Sequence, residues 1–121
     1  RAVLEKMGRL ATLAQRVTLI EPVGYIDMVQ LEKFAALIAT DSGGVQKEAF
    51  FYQVPCVTLR DETEWVELVA SGWNRLALPD NAAQLAETII SALGSAGRNF
   101  RPYGNGDAAR KIVNKLAENL M

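Results

Sequence analysis

The sequence predicts an α/β protein built on a parallel sheet, three-layered and Rossmann-like. Three observations predict it. Short β-branched or apolar runs alternate with segments of helical periodicity along the chain. One of these runs, Ala35 to Ala39, is apolar nearly throughout, as a strand covered on both faces is. It passes directly into Thr40-Asp41-Ser42-Gly43-Gly44-Val45, a hydroxyl-and-glycine turn that opens a segment of helix formers. Alternation of this kind implies right-handed crossovers, and open sheets of this type take ligands at the carboxyl ends of their strands.

Each element follows from local chemistry. Arg1 to Arg16 reads as one amphipathic helix, with Val3, Leu4, Met7, Leu10, Ala11 and Ala14 at helical spacing and Gly8 weakening it. Val17 to Ile20 reads as a short strand. Pro22 and Gly24 then punctuate the chain, and Asp27 is the expected N-cap of a helix from Met28 to Phe34. After the 35–39 strand and its turn, a helix is expected from Val45 to Tyr52, carrying Ala49, Phe50 and Phe51 inward. Pro55 opens a strand from Cys56 to Leu59. The charged turn Arg60 to Glu64 follows, with Thr63 placed to cap a helix that runs to about Ala70 and stops at Ser71-Gly72. Arg75 to Leu78 is the last expected strand. Asp80 or Asn81 caps a helix from Ala82 to Leu93, residues 94–106 form a glycine-rich loop, and Asp107 caps a final helix to Leu120.

Composition removes several functions. The 121 residues suit one domain, and half of them are hydrophobic, enough for a core. A net charge of -1 supplies no basic field for nucleic acid. The single cysteine, Cys56, excludes a disulfide framework and suits a reducing compartment, so a cytoplasmic setting is expected. The absence of histidine removes His-based zinc sites, triads and general bases, and no metal or cofactor is expected. No apolar run is long enough to cross a membrane, and no signal peptide is visible. The sequence opens on Arg1 within a helical pattern, which reads as a piece of a longer chain.

The Ser42-Gly43-Gly44 turn carries the chemistry. Glycines let a ligand approach the backbone, and the first amides of a helix have no internal acceptor. The helix dipole adds roughly half a positive charge at that end, so a phosphate suits it. Glu48 lies about one helical turn further on, within reach of a sugar hydroxyl beside the phosphate. The same tripeptide also serves as a plain turn and N-cap. Arg60 is either a surface partner of Asp61 or Glu64, or a cation facing the phosphate from its strand end. Asp61 and Glu64 read as capping or solvated acids before they read as a catalytic pair. Tyr25 and Trp65 read first as packing residues. Three loops are expected at one sheet edge: residues 22–27, 41–44 and 60–64.

The residues Pro22-Val23-Gly24-Tyr25, Thr40 to Ala49, Gln53 to Glu64 and Gly72-Trp73-Asn74-Arg75-Leu76 together resemble the UDP-N-acetylglucosamine 2-epimerase family. The resemblance is close over residues 17–90 and looser at the ends. It implies the second half of a glycosyltransferase-B type fold, so that residues 1–121 would be a partial C-terminal nucleotide-binding domain. It implies that Ser42, Gly43 and Gly44 hold the diphosphate of UDP or a UDP-sugar and that Glu48 binds the ribose. The loop to Met28, which carries Tyr25, would lie along the uracil, and Arg60 would complete the substrate-binding set. No catalytic residue is assigned here, because the family's proton-moving carboxylates belong to the first domain. The family breaks the anomeric carbon–UDP bond and removes the carbon 2 proton. It then adds back UDP or water, and the non-hydrolysing form is preferred for the parent. Two departures stand out: Met28 replaces an aromatic residue found in some members, and Trp65-Val66 replaces an Arg-Pro pair common in bacterial ones. The expected partners are a UDP-sugar or UDP, the family's N-terminal domain, and a second copy through open sheet edges. The alternative is a non-catalytic UDP-sugar-binding or self-associating module.

Overall fold

A computed structural model describes residues 1–120. The chain forms two compact units, Arg1–Gln30 and the remainder from Leu31.

In the first unit, the single helix expected over residues 1–16 is two: α1 (Ala2–Lys6) and α2 (Leu10–Ala14). Gly8 is the reason. It sits at φ +65, and the Arg9 amide closes back on the Leu4 carbonyl at 2.9 Å, the glycine stop of a helix end. Arg1 pairs with Glu5 and Glu21. Residues 17–20 are not a strand, and Leu19 and Ile20 stay 47% and 60% exposed. Their β-branched content is a preference for a pleated surface, and it yields a strand only where a neighbour supplies the ladder. α3 (Tyr25–Lys33) begins before Asp27, so that carboxylate lies in the first turn rather than at the cap. It still complements the positive helix end.

The second unit is organised by a three-stranded parallel sheet in the order β1 (Ile38–Thr40), β2 (Cys56–Thr58), β3 (Asn74–Leu76). Ile38 stands opposite Cys56, and Cys56 opposite Asn74. Every residue of β2 is buried. Successive side chains of a strand point to opposite faces, so both faces of the centre strand are covered. α4 (Gly43–Phe51) packs on β1 and β2, α5 (Val66–Ala70) on β3, and α6 (Ala82–Ala92) on β2. Asn81 is the N-cap of α6, its Oδ1 accepting from the Ala83 and Gln84 amides at 3.0 and 3.1 Å. Gly72, at φ +85, follows α5 as its stop. α7 (Ala108–Leu120) ends the chain.

The core is Ala49, Val54, Cys56, Val57, Leu68, Trp73 and Ala92. Phe51, expected inward, is 57% exposed. Burial pushes the Cys56 thiol up to about 11, so it packs as a neutral side chain. A polar seam ties α4 to the sheet. Thr58 donates to Asn74 Oδ1 at 2.9 Å, Asn74 Nδ2 donates to Gln46 Oε1 at 3.1 Å, and Thr63 donates to the same Gln46 oxygen at 2.6 Å. Thr63 therefore works inside this seam, where its hydroxyl also accepts from the Trp65 amide at 3.1 Å, and it does not cap α5.

Candidate functional site

The candidate site lies where β1 hands over to α4. Ser42, at φ -80 and ψ 125, is the N-cap, and its Oγ accepts from the Val45 amide at 3.5 Å. Its carbonyl accepts from the Gln46 amide at 3.2 Å. Its own amide donates to Thr40 Oγ1 at 3.1 Å. The helix starts at Gly43, two residues before the Val45 start that the sequence predicts, so both glycines belong to the first turn. Their amides have no acceptor among the described residues. Neither has a positive φ. The two free donors of this corner are therefore Gly43 and Gly44, while the Ser42 amide is already engaged.

The surroundings are charged and aromatic. Trp65 donates through Nε1 to the Gly43 carbonyl at 3.0 Å. The Lys47 ammonium stands 3.7 Å from the centre of the Trp65 ring and 4.4 Å from that of Tyr103, a cation–π contact with each. Arg60 grips Glu64 with two nitrogens, each 3.2 Å from Oε1. Of the partners left open for Arg60 in the sequence, the structure pairs it with Glu64. Glu64 Oε2 is 3.7 Å from where a Cβ on Gly43 would lie. Its own backbone amide, and then Arg60, hold the Glu64 carboxyl below the usual carboxylate range. It stays ionised at neutral pH and is poorly suited to be a general acid.

Glu48, half-buried, lies further along α4. Behind it is Glu32, only 3% exposed, with neither carboxylate oxygen hydrogen-bonded. Burial first, and the charge of Glu48 second, raise its pKa. In the other unit, Tyr25 opens α3 at 68% exposure, and Met28 follows it at 38%. Both are surface side chains.

Two residues escape sequence reasoning. Glu32 sits between Leu31 and Lys33 with nothing in the pattern to mark it as buried. Trp65 reads as packing, and only the fold brings its indole to Gly43. A separate groove of about 300 Å³ lies between the C-terminal end of α4 and the 98–105 loop, with Phe50, Trp73 and Tyr103 among its walls. It contains none of the Ser42–Gly44 residues.

Taken alone, the corner offers two aligned amides and a helix dipole for an anion, with an acid one turn away for a polyol. Comparisons with known proteins define the family of the chain. The sequence model of the family described as UDP-N-acetylglucosamine 2-epimerase matches residues 1–117, and the chain belongs to that family. It is 44% identical, over 98% of its length, to the UDP-2,3-diacetamido-2,3-dideoxy-D-glucuronate 2-epimerase of Pseudomonas aeruginosa, of which it covers 32%. It is 52% identical over 81% of its length to a UDP-N-acetylglucosamine 2-epimerase homolog of Methanococcus maripaludis, covering 27% of that protein. Among solved structures, the UDP-GlcNAc 2-epimerase of Methanocaldococcus jannaschii matches with a TM-score of 0.82 and 41% identity over 95% of this chain and 32% of that one. The same enzyme in complex with UDP-GlcNAc and UDP matches with a TM-score of 0.79. The fold is thus the α/β parallel-sheet architecture expected for the second half of a glycosyltransferase-B type fold. The chain spans about a third of the length of the relatives it matches.

Proposed function

We propose that this chain is the UDP-holding portion of a UDP-sugar 2-epimerase. The observation that carries the reading is the unpaired Gly43–Gly44 amide pair at the start of α4, in a chain that belongs to this family. In this reading the two amides and the Ser42 hydroxyl receive the diphosphate, and Glu48 accepts from the ribose hydroxyls. Arg60 leaves Glu64 to face the phosphate. The parent enzyme breaks the anomeric carbon–oxygen bond to UDP and removes the carbon 2 proton, giving a glycal and free UDP. Return of a proton to the opposite face of carbon 2, with re-addition of UDP at carbon 1, completes the epimerisation. The role of this chain is to stabilise the departing diphosphate, whose negative charge grows as that bond breaks. No base for the carbon 2 proton is assigned among the described residues, and the chain alone is expected to turn nothing over. UDP is the part shared by the substrates named in the two relatives, UDP-N-acetylglucosamine and the diacetamido glucuronate. The choice of sugar therefore rests outside the corner described here.

Calorimetric titration with UDP tests the reading. The expected dissociation constant is on the order of 1 mM, because only part of the cleft is present. Glu48→Ala is expected to weaken binding about fivefold or more. No heat at millimolar UDP would leave a self-associating module as the better account. Measurable epimerisation of UDP-GlcNAc by the isolated chain would contradict the assignment of the proton chemistry elsewhere.

A further inference from the structure

We propose that Trp65 is a positioning residue for the diphosphate site: its indole N–H holds the Gly43–Gly44 peptide so that the Gly44 amide faces the incoming anion. The inference rests on the UDP reading above and adds to it the residue that sets the donor geometry.

The argument starts from one peptide plane. The carbonyl of Gly43 and the amide of Gly44 belong to the same planar trans unit and point in opposite directions. Trp65 Nε1 donates to that carbonyl at 3.0 Å, so the far side of the plane presents the unpaired Gly44 N–H. A donor on the carbonyl draws charge through the peptide and strengthens its N–H as a donor, the cooperative effect of linked hydrogen bonds. Glycines are the residues whose backbone has most freedom to rotate away, so a fixed partner matters here more than elsewhere. The 3.4 Å separation between the indole nitrogen and a Cβ built on Gly43 shows how closely the ring is laid on the turn.

Trp65 is itself held from several sides. Its amide donates to Thr63 Oγ1 at 3.1 Å, and that hydroxyl donates to the buried Gln46 at 2.6 Å. Lys47 covers its ring, and Tyr103 meets it edge-on at 6.4 Å between centroids. A donor fixed by packing and by a second layer of hydrogen bonds is what preorganised binding needs. Trp73, by contrast, spends its indole N–H on the Arg98 carbonyl at 3.1 Å and touches neither glycine of the turn.

The test is a titration of the ¹⁵N-labelled chain with UDP, read at the amide and indole N–H resonances. The Gly44 amide and the Trp65 indole N–H are expected to move together and saturate with one dissociation constant. The Trp73 indole N–H is expected to stay in place. Trp65→Phe keeps an aromatic ring but loses the N–H, and is expected to raise the dissociation constant about 3- to 10-fold. The same variant is expected to shift the Gly44 resonance before any UDP is added. Tyr103→Phe disturbs the same aromatic cluster without touching the indole–carbonyl bond and is expected to change affinity by less than about twofold. If Gly44 responds to UDP while the Trp65 indole does not, or if Trp65→Phe binds as tightly as the parent, the inference is overturned and the UDP reading survives. If neither glycine amide responds in the parent chain, both fall together. Should Trp65→Phe fail to fold, the indole response of the parent chain decides.

Discussion

Gly44 has no backbone reason to be glycine, since its φ is not positive and a Cβ there would approach nothing nearer than Ser42 Oγ at 3.9 Å. In the first turn of a helix it is the poorer choice by about 0.5–1 kcal/mol against alanine. Gly44→Ala is therefore expected to raise the melting temperature by about 2–5 °C. It is also expected to weaken UDP about fivefold, because the methyl group stands between the ligand and the amide. Glu32 carries the opposite lesson. Its unfolded carboxyl titrates near pH 4.3, and burial raises it in the folded chain. Between those two values the folded state holds the extra proton, so stability falls as pH rises through that window and stays lost at neutral pH. Glu32→Gln should accordingly exceed the parent in urea melts at pH 7, with the difference closing below about pH 4. Ser42, Gly43 and Gly44 were legible in the sequence because capping and glycine openness are local chemistry. Glu32 and Trp65 were not, because their meaning comes from what the fold lays against them.

α4 shows the same division within one element. Its existence follows from Val45 to Phe51, but its two ends do not. The N-terminus lies two residues early because Ser42 caps from outside the glycines. The C-terminus is set by Gln53, a non-glycine at φ +57, with the Val54 amide closing on the Ala49 carbonyl at 2.9 Å. A side chain in that left-handed region costs about 1–2 kcal/mol. Gln53→Gly is expected to recover about 1 kcal/mol, moving the denaturation midpoint upward without changing the slope. The strands differ from expectation in length for a related reason. Runs such as Cys56 to Leu59 announce a strand, but the ladder with Ile38–Thr40 and Asn74–Leu76 decides where it stops. Where no ladder forms, as at Val17–Ile20, the same composition gives an irregular segment.

For the whole molecule, the 94–106 loop is as important as the sheet. Gly97 lies flat on Trp73: a Cβ there would stand 2.3 Å from the indole Cδ1. The Arg98 amide and guanidinium fasten the same loop to the Ser71 and Ala70 carbonyls at 2.8 and 2.7 Å. Tyr103 extends it to Glu67 by a 2.5 Å hydrogen bond. Gly97→Ala is expected to destabilise the chain by about 1–3 kcal/mol through overpacking. Thermal melts followed by the near-ultraviolet signal of the tryptophans would register it. Family and architecture were legible from the combined motifs, whereas this loop announced only its glycines.

The sheet order has a consequence for how the chain is made. β1, β2 and β3 lie side by side in the order in which a ribosome releases them, and each crossover brings a new strand to the one just finished. Among these three strands, assembly can then proceed vectorially, each docking onto the one before it. The corner at Ser42 gains its polar and aromatic partners later, once Thr63, Trp65 and Asn74 have followed β2.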